Sequence, residues 1–532
     1  MNSRVVSVLP GLCFSACLGL FGAEAVAQAP DLCLTAERCA TERAALAGAD
    51  RGESTSALAG RQTRFYWMNR VNMASLVMLA EQGVIPEALT ASIADGIRYA
   101  MAQAQDPAGR RPSDVMQLEK IIMERAGADA TFVHSGRSRQ DMYATIRSMQ
   151  LRQQLLDVFE TLGGVRALIL EIADENTETF VPAYTNGVQA QPITYAHYLS
   201  AFADSFARDA ERLVQAYARL NRSAMGTAVL ANSSWPMDRE RLAELLGFPA
   251  VIENAYDAGQ VSPMDVQFEV ASLLANIALR VGAMLEDIHV QYHQIRPWLL
   301  LDSSTTYASS SMPQKRNPGI LMNARQAASD VVASLQEVTL RAHNVTPGMT
   351  DYKESFSTSG INVESVEMLE RFAGVLRALR IDADRALAEL EAEWTTSMNT
   401  AEAMQRLHGT PFRVGHSFAS EIVTLARAEG YTPMDFPYEQ AAGIYRRVAT
   451  RYGIDETVLP LTEDEFRASV SPRDMVMTRQ GTGSPAPPEV RRMLERASRQ
   501  LADDDDWLAG RTQALSAAEA LLNRVFVAYL PE

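Results

Sequence analysis

One irregular segment, residues 303–319, combines hydroxyls, cations and an amide in a pattern that suggests chemistry. It reads SSTTYASSSMPQKRNPG and places Ser309 six residues before Lys315 and eight before Asn317. A flexible linker accounts for the serines, but not for a lysine, an asparagine and two prolines in the same segment. Lys315 is one of only three lysines in a chain rich in arginine, so we interpret it as a position that needs a compact point charge.

Two further polar segments lie between apolar stretches. The first, HSGRSRQD at residues 134–141, contains Arg139, whose planar guanidinium suits a carboxylate ligand. The alternative for Arg139 is a structural role, in which it caps a helix carbonyl or pairs with Asp141. The second segment is YTNGVQAQP at residues 184–192. The three polar segments are therefore the candidate parts of a functional site.

The sequence around these segments predicts long helices. Apolar residues recur at helical spacing in two stripes, and alternation of the strand type is scarce. The helix from about Met264 to Gln291 is apolar around so much of its circumference that we expect it to be buried on several sides, in a helical bundle or an oligomer core. Thr194 is the predicted N-cap of the helix that carries the second stripe. The stripes are Val270, Leu273, Leu274, Ile277, Val281, Leu285 and Ile288, and Tyr198, Phe202, Phe206, Leu213, Tyr217 and Leu220.

Breaks rich in proline, glycine or serine divide the predicted helices into three groups. The predicted fold class is all-α, with a signal peptide at residues 1–27, an N-terminal domain at 28–134, a central domain of long bundled helices at 135–385 and a C-terminal helical domain at 386–532. The breaks lie near residues 106–113, 181–192, 303–319, 343–360 and 471–488.

The first 27 residues have the features of a cleavable secretory signal. Arg4 precedes an apolar run from Val5 to Phe21, and Ala25-Val26-Ala27 forms a small-x-small cleavage site before Gln28. The alternative, a first membrane helix, is disfavoured because the run is short. We expect a periplasmic or secreted protein with no membrane association after cleavage.

The mature chain would keep two of the four cysteines, Cys33 and Cys39. In an oxidising compartment the simplest interpretation is one local disulfide near the new N-terminus, with free thiols as the alternative. A zinc site would need more ligands nearby, so we predict no metal.

The charge balance argues against a nucleic-acid partner. The 532 residues carry a formal net charge of -16, and phosphate binding requires clustered cations. If the substrate is an anion, its cations must be placed locally, as in the segments above.

In their order and spacing, the three polar segments resemble the signature regions of the fumarase/aspartase superfamily, and they are most similar to those of argininosuccinate lyases. The family reads Gly-Ser-Ser-x-Met-Pro-x-Lys-x-Asn-Pro in its third region, and this chain reads ASSSMPQKRNP from Ala308 to Pro318. The resemblance covers nearly all of the predicted mature chain. It continues through MLAEQGVIP, MDRERLAELLGF, VIENAYDA, HGTPFRVGH and GTGSPAPPEV.

This resemblance implies an all-α, three-domain fold in which the long central helices of four chains form one bundle. It implies a homotetramer with active sites assembled from signature regions of three subunits, a small dicarboxylate substrate, and no metal or organic cofactor. The reaction implied is the elimination of an amine from an N-substituted succinate, with release of fumarate.

The resemblance also assigns roles in the third region. Ser309 matches the serine base of the family. Because serine is a weak base, Lys315 and N–H groups of the loop must act either on Ser309 or on the substrate carboxylate. Asn317 can donate a hydrogen bond to the same substrate carboxylate, so the segment is interpreted as a catalytic lid. Lys353 matches a further substrate-binding lysine in the stretch DYKESF.

In the first and second regions, Ser138, Arg139 and Thr185 match residues that hold substrate. Gln140 stands where argininosuccinate lyases have asparagine, and it is predicted to bind substrate in its place.

Two departures from the family concern proton transfer. Asn186 replaces the histidine of the second region and is expected to contact substrate, whereas Met322 replaces the glutamate that pairs with that histidine. The remaining proton donors are His134, a bound water and the already protonated amine of the substrate, of which we favour the last. Val345 and Thr350 stand where the family has further substrate contacts.

Three hypotheses follow for function. The first is a carbon–nitrogen lyase of argininosuccinate lyase type, whose leaving amine is open. The second is a catalytically silent relative that serves as a binding or structural protein, and the third is a cycloisomerase of the same superfamily. Retention of Ser309, Lys315 and Asn317 favours an enzyme, because a silent protein needs none of them.

Overall fold

The computed structural model describes residues 63–348 and 360–531. The predicted signal peptide, Cys33, Cys39 and Lys353 lie outside this part of the chain, as does Thr350.

Helices form most of the regular structure in the described ranges, and three short antiparallel strand pairs account for the rest. The sixteen α-helices of these ranges are α1 (Arg64–Glu81), α2 (Glu87–Ala102), α3 (Val115–Ala126), α4 (Arg139–Glu175), α5 (Tyr195–Leu220), α6 (Arg239–Leu245), α7 (Ser262–Gln291), α8 (Gly319–Ala342), α9 (Ile361–Ala378), α10 (Ala383–Ala392), α11 (Ser397–His408), α12 (Phe412–Glu429), α13 (Tyr438–Arg451), α14 (Glu463–Val470), α15 (Pro472–Thr478) and α16 (Pro487–Val527). The strands are β1 (Phe180–Thr185), β2 (Val188–Thr194), β3 (Leu299–Leu301), β4 (Tyr307–Ala308), β5 (Arg316–Asn317) and β6 (Leu379–Ile381), paired β1–β2, β3–β6 and β4–β5.

The largest hydrophobic core lies between the long helices α4, α5, α7, α8 and α9. Both predicted stripes contribute to it: most of their residues are buried, and Leu273, Tyr198 and Phe202 pack against it while partly exposed. The predicted N-cap is confirmed, since the Thr194 hydroxyl accepts a hydrogen bond from the His197 N–H at 3.2 Å. The apolar spacing therefore determined which faces of these helices meet.

A second core lies among α1, α2, α3, the beginning of α4 and α6, and a third lies among α11, α12, α13 and α14. The last helix, α16, contributes Val490 and Leu494 to the bundle core and Leu522 and Phe526 to the second core. It thus packs away from the third core, although the predicted C-terminal domain at 386–532 includes it. The domain boundaries at residues 134 and 385 stay a prediction.

By length and composition alone, the helical stretch Asp257–Gln291 could cross a membrane. Half of its most apolar window is buried, which also fits a helix of a packed core, and α7 contacts α5, α8 and α9.

Candidate functional site

The third polar segment forms a hairpin rather than a wholly irregular loop. Tyr307 pairs with Asn317 and Ala308 with Arg316, so the serines and Lys315 lie in the connection between β4 and β5. The Ser309 N–H donates to the Lys315 carbonyl at 3.1 Å, which closes the loop. Pro318 then ends the hairpin, and α8 begins at Gly319.

The Ser309 hydroxyl is the focus of this loop. Its Oγ accepts hydrogen bonds from the N–H groups of Ser311 at 3.4 Å and Met312 at 3.2 Å. Donors aimed at this oxygen favour a negative charge on it, as a serine base requires. The Lys315 ammonium is exposed, and no carboxylate of the described ranges forms an ion pair with it. Its charge is therefore free to act on an incoming anion.

Asn317 lies at the edge of the same loop, where its amide nitrogen donates to the Tyr307 carbonyl at 3.4 Å. This bond is long and partly solvated, so a substrate carboxylate could replace it. The structure thus brings Ser309, Lys315 and Asn317 together in one hairpin.

The first polar segment begins the longest bundle helix. Ser138 is the N-cap of α4 and forms a capping box with Asp141, to whose Oδ1 its hydroxyl donates at 2.9 Å. Arg139 lies in the first turn with an exposed side chain, and its nearest carboxylate is Asp114 at 3.7 Å rather than Asp141. A contact of this length on an exposed side chain contributes little, which leaves the guanidinium available to a ligand.

Gln140 is turned into the protein. Its side chain is buried, and its amide nitrogen donates to the Gly259 carbonyl at 2.7 Å. This bond joins the start of α4 to the π-helical turn Asp257–Val261. Its predicted contact with substrate stays a prediction.

Asp141 connects the first polar segment to a second loop. Its Oδ1 accepts from the Ser138 N–H at 2.7 Å, and its Oδ2 accepts from the N–H groups of Gly226, Thr227 and Ala228 at 3.0–3.2 Å. Burial raises the pKa of this carboxyl, whereas the hydrogen bonds from Ser138 and Ala228 act in the opposite direction. One buried carboxylate therefore determines where the Ser138–Arg139 turn lies.

His134 and Arg137 complete this region. His134 Nδ1 lies 3.3 Å from Glu119 Oε2, and this hydrogen bond is the main cause that lowers the pKa of the Glu119 carboxyl. Arg137 is buried and donates to the Ser75 hydroxyl at 2.9 Å, and burial lowers its pKa to about 10. His134 thus has a carboxylate partner, which is one requirement for a proton-transferring histidine.

The second polar segment is the turn of the β1–β2 hairpin. Asn186 and Gly187 both have positive φ, 52° and 77°, as a two-residue hairpin turn of type I′ requires. Thr185 and Asn186 are exposed at its tip. Met322 is also exposed, on the first turn of α8, so neither residue that replaces the family's histidine–glutamate pair is buried.

Within one chain the first and second segments are far apart. Helix α4 begins at Arg139 and ends at Glu175, five residues before β1 starts, and its 37 residues span about 55 Å. The six residues of β1 reach back at most about 20 Å, which leaves a gap of more than roughly 20 Å. In the described ranges no hydrogen bond or ion pair joins any two of the three segments.

The third segment lies toward the same end of the bundle as the second. Trp298, shortly before the β4–β5 hairpin, meets the ring of Tyr195 edge-on with centroids 5.9 Å apart, and Tyr195 directly follows β2. One chain therefore presents two of its polar segments at one end and the first segment at the other.

Sequence reasoning did not identify two carboxylates that hold these segments. Asp141 could have been found from the Ser-x-x-Asp spacing of a capping box, although its bonds to residues 226–228 could not. Glu389 on α10 contacts the second segment, and no sequence signal points to it.

The chain is similar to known proteins in both sequence and structure. A family model described as Lyase matches residues 67–333. The argininosuccinate lyase of Methanoculleus marisnigri is 31% identical over 460 residues, which cover 84% of this chain and 90% of that protein.

Solved structures show the same similarity. The crystal structure of EDDS lyase in complex with formate superposes with a TM-score of 0.79 at 26% identity, covering 88% of this chain and 92% of that one. The 3-carboxy-cis,cis-muconate lactonizing enzyme from Pseudomonas putida has a TM-score of 0.61 at 18% identity, covering 83% and 95%, and at that identity it shows the fold alone. The predicted all-α fold of the fumarase/aspartase type is confirmed.

Proposed function

Because this chain belongs to the argininosuccinate lyase family of the fumarase/aspartase superfamily, we propose that it is a carbon–nitrogen lyase that removes an amine or guanidine from an N-substituted succinate and releases fumarate. The observation that carries this proposal is the β4–β5 hairpin. It holds a serine oxygen that accepts hydrogen bonds from two backbone N–H groups, in the same loop as an exposed lysine that pairs with no carboxylate of the described residues.

In the proposed reaction, Ser309 removes the proton from the carbon next to one carboxylate of the substrate. The electron pair moves into that carboxylate, and Lys315 together with Asn317 stabilises the added negative charge. The pair then forms the carbon–carbon double bond of fumarate as the carbon–nitrogen bond breaks, and the amine leaves with the bonding electrons. Arg139 and Thr185 would hold the carboxylates, Arg139 through two parallel hydrogen bonds.

A complete site requires more than one chain in this proposal. The separation of the first segment from the other two supports sites shared between subunits of a homotetramer, since a partner that runs antiparallel would bring its first segment to the opposite end. Exposed apolar residues on and beside α7 support the same assembly: Leu279 is 59% exposed and Ile295 is 100% exposed in the single chain.

The leaving amine is proposed to differ from that of argininosuccinate. Asn186 and Met322 change the contacts expected near the leaving amine, and the proposed export through the signal peptide would separate the protein from the cytosol. An amine or guanidine that is already protonated in the substrate fits these replacements, because it leaves as the neutral base and needs no protein acid.

The reversibility of the reaction provides the test. The mature protein is incubated with fumarate and a panel of amines and guanidines, and adducts are identified by mass spectrometry, with Ser309→Ala as the control. We expect an N-substituted aspartate from at least one amine and none with the variant.

Two other results would contradict the proposal. No adduct with any amine would favour a silent binding protein. Conversion of a muconate to a lactone, without fumarate chemistry, would favour a cycloisomerase, a function found in a protein of the same fold.

A further inference from the structure

The β1–β2 turn that carries Thr185 and Asn186 has little support of its own. Residues 184–188 are exposed, and the register of the hairpin shifts at a bulge between Ala183 and Tyr184. A two-stranded hairpin is marginally stable in water, and a bulge allows its end to adopt more than one position. Something outside the hairpin must therefore determine where its tip lies.

Glu389 supplies this support from helix α10. Its Oε1 accepts from the Tyr184 hydroxyl at 3.2 Å and from the Gln189 amide nitrogen at 2.6 Å. Tyr184 and Gln189 are partners directly opposite each other on β1 and β2, one pair before the Thr185–Val188 pair that adjoins the turn. One carboxylate oxygen thus bridges both strands at the last pair but one before the tip.

The carboxylate is itself held in place. Its other oxygen lies 2.9 Å from Arg385, one turn earlier on α10, and the Glu389 side chain is only 12% exposed. Hydrogen bonds to an ionised acceptor are stronger than those between neutral groups, and water competes weakly for a shielded one. The bridge therefore persists where a solvated contact would not.

From this geometry we propose that Glu389 is a positioning residue for the substrate-binding turn: by holding Tyr184 and Gln189 together it fixes Thr185 and Asn186 in the place where they meet substrate. The part that concerns substrate rests on the proposed function. A displacement of about 1 Å in a group that orients substrate can lower turnover about 100-fold, so a contact outside the site can control the rate.

Three variants of the full mature protein test this inference. Glu389→Ala removes both acceptor oxygens, Glu389→Gln keeps one acceptor for Tyr184 and Gln189, and Glu391→Ala is the matched control. Glu391 lies on the same helix, and its side chain forms no hydrogen bond or ion pair with another residue of the described ranges. Each variant is measured for amide hydrogen exchange in residues 180–194, for kcat and KM, for Tm and for oligomeric state.

We expect Glu389→Ala to speed amide exchange in residues 180–194 and to lower kcat/KM about 10-fold to 100-fold. Its Tm and oligomeric state should equal those of Glu391→Ala. The kcat/KM of Glu389→Gln should lie within about fivefold of the wild-type value, because a neutral acceptor keeps the geometry with weaker hydrogen bonds. Recovery by Gln is a result that a loss of general stability would not produce.

Several outcomes would overturn the inference. Equal exchange in Glu389→Ala and Glu391→Ala would show that the turn does not depend on Glu389. Faster exchange with unchanged kcat/KM would show that the turn's position is irrelevant to substrate. Equal losses of Tm and activity in both Glu389 variants would show a structural role only. If the wild type releases no fumarate, the proposed function fails, while the exchange result still decides whether Glu389 fixes the turn.

Discussion

At the scale of single residues, the chemistry of the candidate site depends on the hydrogen-bond donors and the charge near one hydroxyl, that of Ser309. Ser309 is a weak base in water, and the structure surrounds its oxygen with the N–H groups of Ser311 and Met312. Lys315 adds a charge that is not neutralised by a carboxylate of the described ranges. This arrangement stabilises negative charge either on Ser309 or on the substrate carboxylate.

The first prediction concerns these two residues. Ser309→Ala and Lys315→Met should each lower kcat at least ~100-fold without changing the circular dichroism spectrum, by analogy with removal of one oxyanion donor. Lys315→Arg should also have a low kcat, because the planar guanidinium of arginine cannot replace the compact ammonium of lysine in a short loop. Near-normal turnover in the alanine or methionine variant would disprove the assignment.

The second prediction concerns proton transfer to the leaving nitrogen. Asn186 cannot transfer a proton near neutral pH, and Met322 has no charge to tune a neighbour. The substrate's own amine must then carry the proton, and a more basic amine keeps that proton at neutral pH. Among N-substituted aspartates of similar size, kcat should therefore rise steeply with the basicity of the leaving amine. Asn186→His alone should raise kcat little, since Met322 has no carboxylate that could set the charge of the new imidazole.

Steady-state kinetics across such a substrate series check this prediction, with Asn186→His measured on the same compounds. A flat dependence on amine basicity would mean that the protein supplies the acid. His134 would then be the first residue to replace, because its imidazole already faces Glu119.

At the scale of secondary-structure elements, two of the three polar segments are held by a carboxylate contact between distant parts of the chain. Asp141 joins the first turn of α4 to residues 226–228, and Glu389 joins α10 to the β1–β2 hairpin. The loop held by Asp141 includes Ala228 and Val229 with φ of 45° and 85°. Such backbone angles are costly for residues with a side chain, so this loop needs outside support.

The third prediction follows from that loop. Asp141→Asn should lower the free energy of unfolding by about 3 kcal/mol. In the wild type one carboxylate oxygen accepts from the N–H groups of residues 226–228, whereas in the variant an amide nitrogen would face the buried N–H groups that the carboxylate binds and could not accept from them. Asp238→Asn is the matched control: Asp238 is the N-cap of α6, and asparagine caps a helix as well as aspartate does.

Urea unfolding of the wild type and both variants measures these free energies of unfolding. Equal stability of Asp141→Asn and Asp238→Asn would mean that residues 226–228 do not depend on the carboxylate for support.

At the scale of the whole molecule, the length of α4 determines how a site can be built. A helix of about 55 Å between the first and second segments keeps these two segments of one chain from meeting around a small dicarboxylate. The exposed apolar residues Leu279 and Ile295 provide surface for the partners that the proposed assembly requires.

The fourth prediction tests shared sites by mixing inactive variants. Arg139→Ala and Ser309→Ala each damage a different segment, so sites in mixed tetramers can combine an intact Arg139 from one chain with an intact Ser309 from another. After denaturation and refolding of an equal mixture, about a quarter of the activity should return if subunits assort at random. Recovery should be absent when each variant is refolded alone. Failure to recover in the mixture would mean that each chain carries its own site.

The fifth prediction concerns the N-terminus, which lies outside the described residues. Protein purified from an oxidising compartment should begin at Gln28 and contain a Cys33–Cys39 disulfide, seen as a mass gain of two hydrogens on reduction. An unprocessed mass would contradict the proposed export, and a processed chain without the mass gain would contradict only the disulfide.

Local spacing in the sequence was sufficient to predict the buried faces of the helices and to single out the polar segments. The apolar stripes predicted which faces of α5 and α7 are buried, because helical periodicity is a property of neighbouring residues. The sequence likewise singled out Ser309, Lys315 and Asn317 within nine residues, although the hairpin that holds them was not predicted. Such contacts depend on short loops, which the chain closes at little entropic cost.

Tertiary structure alone decided which distant residues support the site and which segments cannot meet. The contact of Glu389 with Gln189 spans 200 residues, and that of Asp141 with Thr227 spans 86. No periodicity or motif encodes such contacts, because they arise from how α10 and residues 226–228 pack against the rest of the chain. The separation of Arg139 from Thr185 is likewise set by α4, whose continuous hydrogen-bonded backbone fills most of the sequence between the two segments and keeps them apart.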